Sequence, residues 1–150
     1  MPNQLTVQNS IVIDASPEVV WDALVNPEQT QKYMFGCKAV SDWTVGSPLL
    51  WRGTQEGQEV VFVEGSVVAI EPGRFLAYTT IDPNSAIENI AENYLTVTYD
   101  LSVENGQTNL TITQGDYATV ADGERRYQET IDGGGWDPIL VGIKTIVEER

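Results

Sequence analysis

Histidine is absent from the 150 residues, and cysteine occurs once, at Cys37. Without histidine the chain lacks the side chain whose ordinary pKa near 6.5 suits proton transfer at neutrality. Every Ser-His or Cys-His nucleophile pair and every His-based metal site is excluded with it. One thiol cannot close an internal disulfide, and a lone reduced cysteine fits a reducing compartment, so a cytoplasmic location is expected. Basic side chains are also scarce, 8 Lys+Arg against 22 Asp+Glu, for a net charge of −14. Such a surface repels phosphate backbones and anionic lipid, so neither nucleic acid nor a membrane is an expected partner. No apolar run approaches the ~20 residues that cross a bilayer. The opening MPNQLTVQNS has no basic n-region or apolar core, and no secretion signal is expected.

Cofactor and metal motifs are missing as well. Gly133-Gly134-Gly135 has neither the lysine nor the preceding strand of a phosphate loop. Asp82, Asn84 and Glu88 begin like a calcium loop, but Ile87 stands where its glycine belongs and Asn93 where its final glutamate belongs. Asn109-Leu110-Thr111 matches a glycosylation sequon inside an expected strand of a cytosolic chain. No metal, cofactor or glycan is expected.

What is present reads as one folded domain over residues 1–150. The hydrophobic share is 41% and the charged share 20%, a globular rather than a disordered composition. A domain of this length buries roughly 70% of its unfolded surface, enough for a core and a cavity. Leu5–Asp14 has strand character. Ser16-Pro17-Glu18 caps and opens a helix that Pro27 stops near Val25. Pro27-Glu28 opens a second short helix to about Lys32, followed by the apolar loop Tyr33-Met34-Phe35-Gly36. Strands are expected near Ala39–Trp43, Pro48–Gly53, Glu59–Ile70, Arg74–Ile81, Tyr94–Glu104 and Gln107–Tyr117, with a long polar loop from Asp82 to Asn93. Asn105-Gly106 predicts a two-residue type I′ turn and a hairpin. Leu95, Val97, Tyr99, Leu101 and Val103 alternate with polar residues, giving one buried and one wet sheet face. From Asp122 to Arg150 the period becomes helical. Trp136, Leu140, Ile143 and Val147 form an apolar stripe, and Lys144, Glu148, Glu149 and Arg150 lie on the wet side. The three glycines, costing roughly 2–3 kcal/mol in a helix interior, predict a kink or a break there.

Strand, two short helices, antiparallel strands and a C-terminal helix make an α+β chain. Its last helix must bury its stripe on the concave face of a sheet of six or seven strands. Where inward residues leave space, a ligand cavity results.

Ile13-Asp14-Ala15-Ser16-Pro17-Glu18-Val19-Val20-Trp21-Asp22-Ala23-Leu24, followed by Asn26-Pro27-Glu28, resembles the opening of the heat-shock-protein ATPase activator homologue family. That family belongs to the START-like, helix-grip superfamily that includes the birch pollen allergen. Trp43 and Gly46, then Gly65, Val67, Ile70, Glu71, Pro72, Phe75, Leu76 and Tyr78, match its middle. Thr108, Leu110, Thr111 and Ile112 match its last strand, and Gly135, Trp136, Leu140 and Lys144 its final helix. The resemblance implies a helix-grip fold with a long C-terminal helix. It transfers no catalytic motif, because the superfamily includes carriers, cyclases and co-chaperone domains alike.

Three functions follow as expectations. The first is a non-enzymatic binding protein for a small hydrophobic or amphipathic ligand held between sheet and C-terminal helix. The second, implied by the resemblance, is a co-chaperone-like module with a chaperone as partner. The third is a cyclase- or dehydratase-like enzyme using Tyr, Glu or Asp groups. The expected lining is Trp51, Phe62, Tyr78, Tyr99, Trp136 and Leu140, with Tyr33, Met34 and Phe35 as a gate. These rings serve equally as ordinary core. Gln114 shares a strand face with Leu110 and Ile112, so its amide meets either a structural partner or a ligand head group. Glu64 shares parity with Phe62 and faces either the cavity or water. A one-residue slip in Glu59–Ile70 or Arg74–Ile81 would reverse that parity. Arg125-Arg126 and Cys37 read as a solvated helix face and an incidental thiol. A monomer and a homodimer both remain open.

Overall fold

Ser16 accepts a hydrogen bond from the Val19 N–H, and Pro17 occupies the first turn, so helix α1 runs from Pro17 to Val25. Asn26 caps both sides of the break. Its backbone N–H reaches the Asp22 carbonyl, while its side chain accepts from Glu28 N–H and starts α2, Pro27–Tyr33. The computed structural model describes residues 5–149, so Arg150 and the first four residues lie outside it. Strand β1, Val7–Ile13, precedes these helices. Strands β2 (Lys38–Ser41), β3 (Pro48–Gln55), β4 (Gln58–Glu71), β5 (Phe75–Thr80), β6 (Leu95–Glu104) and β7 (Gln107–Gly115) follow, and helices α3 (Gly123–Asp132) and α4 (Asp137–Glu148) close the described chain.

The strands form one antiparallel sheet of seven in the order β1-β7-β6-β5-β4-β3-β2. Five of the six links in that order join strands consecutive in sequence; β1 alone crosses over to pair with β7, Val7 opposite Gln114 and Ile13 opposite Thr108. The β6–β7 turn holds Asn105 at φ 52° and Gly106 at φ 80°, the two left-handed residues of a type I′ turn. The alternation of β6 holds for Leu95, Val97, Tyr99 and Leu101, which are buried with the residues between them turned outward, but not for Val103, which is 61% exposed beside the β6–β7 turn, past the end of the core.

Of the kink and the break expected at the three glycines, the break is found: the C-terminal segment is two helices. Residues 133–136 separate them, with Gly134 at φ +93° and Gly135 at φ +61°. A Cβ on Gly135 would stand 2.5 Å from Asn9 Oδ1. That oxygen accepts the Trp136 backbone N–H at 2.9 Å. The glycines therefore let the chain turn tightly against β1 and fix the start of α4 there.

Helix α4 buries Leu140, Ile143 and Val147 among Ile13, Val20, Leu24, Leu110 and Ile112, on the inner face of the curved sheet. Its far end is tied down by polar contacts. Lys144 Nζ donates to the Val12 carbonyl at 2.9 Å and pairs with Glu148, whose carboxylate accepts Asp14 N–H at 2.9 Å. Thr30, wholly buried, joins α2 to β2: its hydroxyl accepts Ala39 N–H at 3.0 Å and lies 3.2 Å from the Cys37 carbonyl.

Candidate functional site

The inner face is not filled throughout. A hollow of about 330 Å³ opens beside the start of α4, lined by Met34, Phe35, Cys37, Trp51, Phe62, Val63, Tyr78, Thr80, Val97, Gln114 and Trp136. Its floor comes from strand pairing. Gln114 stands opposite Val97 on β6, and Val97 stands opposite Tyr78 on β5. These three side chains form one row across the sheet, pointing the same way. Trp51 closes the β3 side, Trp136 the α4 side, and the loop after α2 the mouth. The rings form a chain of contacts: Trp51 and Tyr78 are tilted at 6.3 Å, while Tyr78 and Tyr99 at 5.4 Å and Tyr99 and Trp136 at 6.3 Å between centroids meet edge to face.

A bulge decides the β4 wall. The β3–β4 register shifts between Trp51 and Arg52, which pair with Val63 and Val61. Phe62 is the extra residue, so Phe62 and its neighbour Val63 both reach the hollow, which strict alternation forbids. The shift also ends the parity between Phe62 and Glu64. Glu64 bridges Ile81 and accepts Asn89 Nδ2 at 2.9 Å, away from the hollow. Gly53, opposite Val60, has Phe62 within 2.9 Å of where a Cβ would stand.

The roof differs from the expected one. Of the C-terminal helical segment only Trp136, just before α4, borders the hollow; Leu140 is 0% exposed in the packed core. Tyr99, two residues along β6 from Val97 on the same face, does not border the hollow; its hydroxyl lies 2.6 Å from that of Tyr78. Among the three gate residues, Met34 and Phe35 line the mouth, and Phe35, at φ 55°, is 89% exposed. Tyr33 is buried and donates to the Ala23 carbonyl at 2.7 Å. Trp51, Phe62, Tyr78, Gln114 and Trp136 all border the space. Cys37, Val63, Thr80 and Val97 were not among the expected lining. Val97 and Thr80 could have been found by extending the alternation from Tyr99 and from Tyr78; Val63 depends on the bulge, and no sequence signal marks Cys37.

Electrostatically the hollow is neutral. No Asp, Glu, Lys or Arg is among its described lining residues. Burial pushes the Tyr78 hydroxyl well above its usual range, and Tyr99 beside it adds to the shift. Burial raises Tyr99 as well. Burial likewise raises the Cys37 thiol. These groups stay protonated near neutrality, so the site offers hydrogen-bond donors and apolar surface but no base. Among the described residues no group of three or more His, Cys, Asp or Glu could hold a metal ion. No helix there is long and apolar enough to cross a membrane. Arg125 is bound to Asp122 and Glu129, and Arg126 donates to the Ala121 carbonyl. A second concavity of about 450 Å³ lies among Gln31, Lys38, Arg52 and Glu59, with Arg52 Nε 3.2 Å from Glu59 Oε1; its walls are polar and charged.

A curved seven-stranded sheet holding a C-terminal helix on its inner face, with two short helices after the first strand, is the helix-grip, START-like fold. Within that class, the profile of one family, described as activator of Hsp90 ATPase homolog 1-like protein, matches residues 14–148, and the chain belongs to it. A solution structure from Cytophaga hutchinsonii is 32% identical, with TM-score 0.78 over 99% of this chain and 97% of that one. An Hsp90 activator from Plasmodium falciparum is 17% identical, with TM-score 0.70 over 97% of each chain. The Aha1 dimer from Colwellia psychrerythraea is 18% identical, with TM-score 0.68 over 95% of this chain and 96% of that one. No curated protein matches the chain.

Proposed function

We propose that the chain binds a small apolar or amphipathic molecule in the hollow between β3–β7, Trp136 and the Met34-Phe35 loop. The observation that carries this reading is the lining: aromatic and aliphatic walls around about 330 Å³, with one amide, two hydroxyls and no charge among the described residues. Wall atoms that border open space forgo dispersion contacts, and a ligand supplies them. The test is thermal unfolding against a panel of medium-chain lipids, sterols and small aromatics. A binder present at about 100 times its Kd stabilises by about 2.7 kcal/mol, which raises Tm measurably. A panel that leaves Tm unmoved at saturating solubility overturns the reading.

A second reading, contact with an Hsp90-type chaperone, is favoured by the family and by Phe35, an aromatic ring 89% exposed at the rim. It predicts that purified Hsp90 retains the wild-type chain and releases Phe35→Ser. Equal retention of both, or of neither, counts against it.

A further inference from the structure

Two hydrogen-bond donors on the floor of the hollow have no acceptor. The Trp136 indole Nε1 lies 3.0 Å from Gln114 Oε1. An indole N–H only donates, so the amide oxygen must face it, and this fixes the orientation of the Gln114 side chain. The Gln114 amino group then points elsewhere, and it has no partner among the described residues, although Gln114 borders the hollow. The second donor follows from counting protons. Tyr78 and Tyr99 are each 1% exposed, and their hydroxyls meet only each other, at 2.6 Å. Two hydroxyls carry two protons, and their mutual hydrogen bond uses one. The other is left over. Tyr99 does not border the hollow and Tyr78 does. The surplus proton can therefore reach an acceptor only through the hollow, when Tyr99 donates to Tyr78 and Tyr78 donates to whatever occupies the space. Gln114 and Tyr78 flank Val97 in adjacent register positions, so both donors serve one region of the floor. Thr80 adds a hydroxyl that can donate or accept.

From these donors we infer that the ligand is a neutral, largely apolar molecule carrying a carbonyl-type acceptor, seated over Val97 and held by Gln114 Nε2 and the Tyr78 hydroxyl. The inference rests on the binding reading above and narrows it. A carboxylate ligand would be buried beside no cation in a chain of net charge −14, and an ammonium beside no anion; either costs more than the hydrogen bonds return. A pure hydrocarbon would cover both donors and offer them no acceptor.

Three probes of one shape separate the possibilities: benzophenone, diphenylmethane and diphenylacetate. Binding is read from quenching of Trp51 and Trp136 fluorescence and by calorimetry, at pH 8. Benzophenone is expected to bind about 3- to 10-fold tighter than diphenylmethane for each hydrogen bond made, and diphenylacetate weakest of the three. Gln114→Glu keeps an acceptor for the indole and removes the donor; Tyr78→Phe removes the other donor. Each is expected to shrink the ketone's advantage, provided circular dichroism shows the fold retained. Equal wild-type affinities for ketone and hydrocarbon overturn the inference and leave the apolar hollow standing, as does an advantage that survives both variants. Tightest binding of the carboxylate overturns it too. If none of the three binds, the inference falls, while the Tm panel judges the broader reading separately.

Discussion

Beneath α4, the inner sheet face is closed by Leu24, Leu110, Ile112, Leu140 and Ile143, each 1% exposed or less. A few residues further across the same face, Trp51, Phe62, Tyr78 and Trp136 surround open space. Both regions belong to one continuous core cluster, and they differ in side-chain shape and in what covers them. Branched aliphatics on a helix stripe and on alternating strands interdigitate to near-crystalline density. Flat rings that meet edge to face keep their centroids about 5–6 Å apart and cannot close a wedge by themselves. The covering differs too: α4 begins only at Asp137, so the hollow has a tryptophan and a loop above it instead of a helix. The lesson is that one sheet face can be packed solid at one end and left open at the other.

Truncation on both sides tests that division most strongly. Leu140→Ala is expected to destabilise by about 2–5 kcal/mol, since the core there can only partly collapse. Phe62→Ala, on a wall already short of neighbours, is expected to cost about 1–2 kcal/mol. Chemical denaturation of both variants measures the difference, and equal losses would erase the distinction. Gly135→Ala is the next largest. A residue with a Cβ at φ +61° is strained by about 1–3 kcal/mol, and the added carbon meets Asn9 Oδ1. Near-UV circular dichroism should report a displaced Trp136, so this change disturbs the hollow from the joint of α3 and α4. A native-like aromatic spectrum would mean that the joint does not position the indole.

The smallest effect concerns the packed end. Glu148 is held below its usual carboxylate range, chiefly by the Asp14 N–H and then by Lys144. A depressed carboxylate stabilises above its unfolded pKa, near 4.5, and that contribution is lost as pH falls through the folded value. Tm of wild type and Glu148→Gln should therefore differ most near neutrality and converge in acid. A gap that is constant with pH would show that the carboxylate's charge is not involved.

Much of this was readable beforehand, for local reasons. Ser16-Pro17, Asn26-Pro27 and Asn105-Gly106 each specify a backbone geometry within a few residues, and each helix start and turn fell where those residues place it. The alternation of β6 likewise identified four of its five inward residues; Val103 lies at the hairpin end, where it stays exposed. The parts that were not legible depend on partners distant in sequence. The bulge at Phe62 exists only against Trp51 and Arg52 of β3. The break at Gly133–Gly135 was expected as a kink or a gap, and Asn9 on β1 decides where α4 starts. Leu140 carries the same helical spacing as Trp136, but one turn places it under solid packing and the other beside open space. The Tyr78–Tyr99 hydroxyl pair requires the β5–β6 register, which neither strand contains alone.

The hydrogen bond from Trp136 to Asn9 spans 127 positions, and β1 must wait for β7 before it has any neighbour in the sheet. During synthesis the first strand therefore leaves the ribosome with its inner apolar row uncovered, while the rest of the layer is still being translated. Long-range closures of this kind are slow and expose surface meanwhile. The chamber walled by Trp136 therefore cannot close until the C-terminal segment has emerged to meet β1.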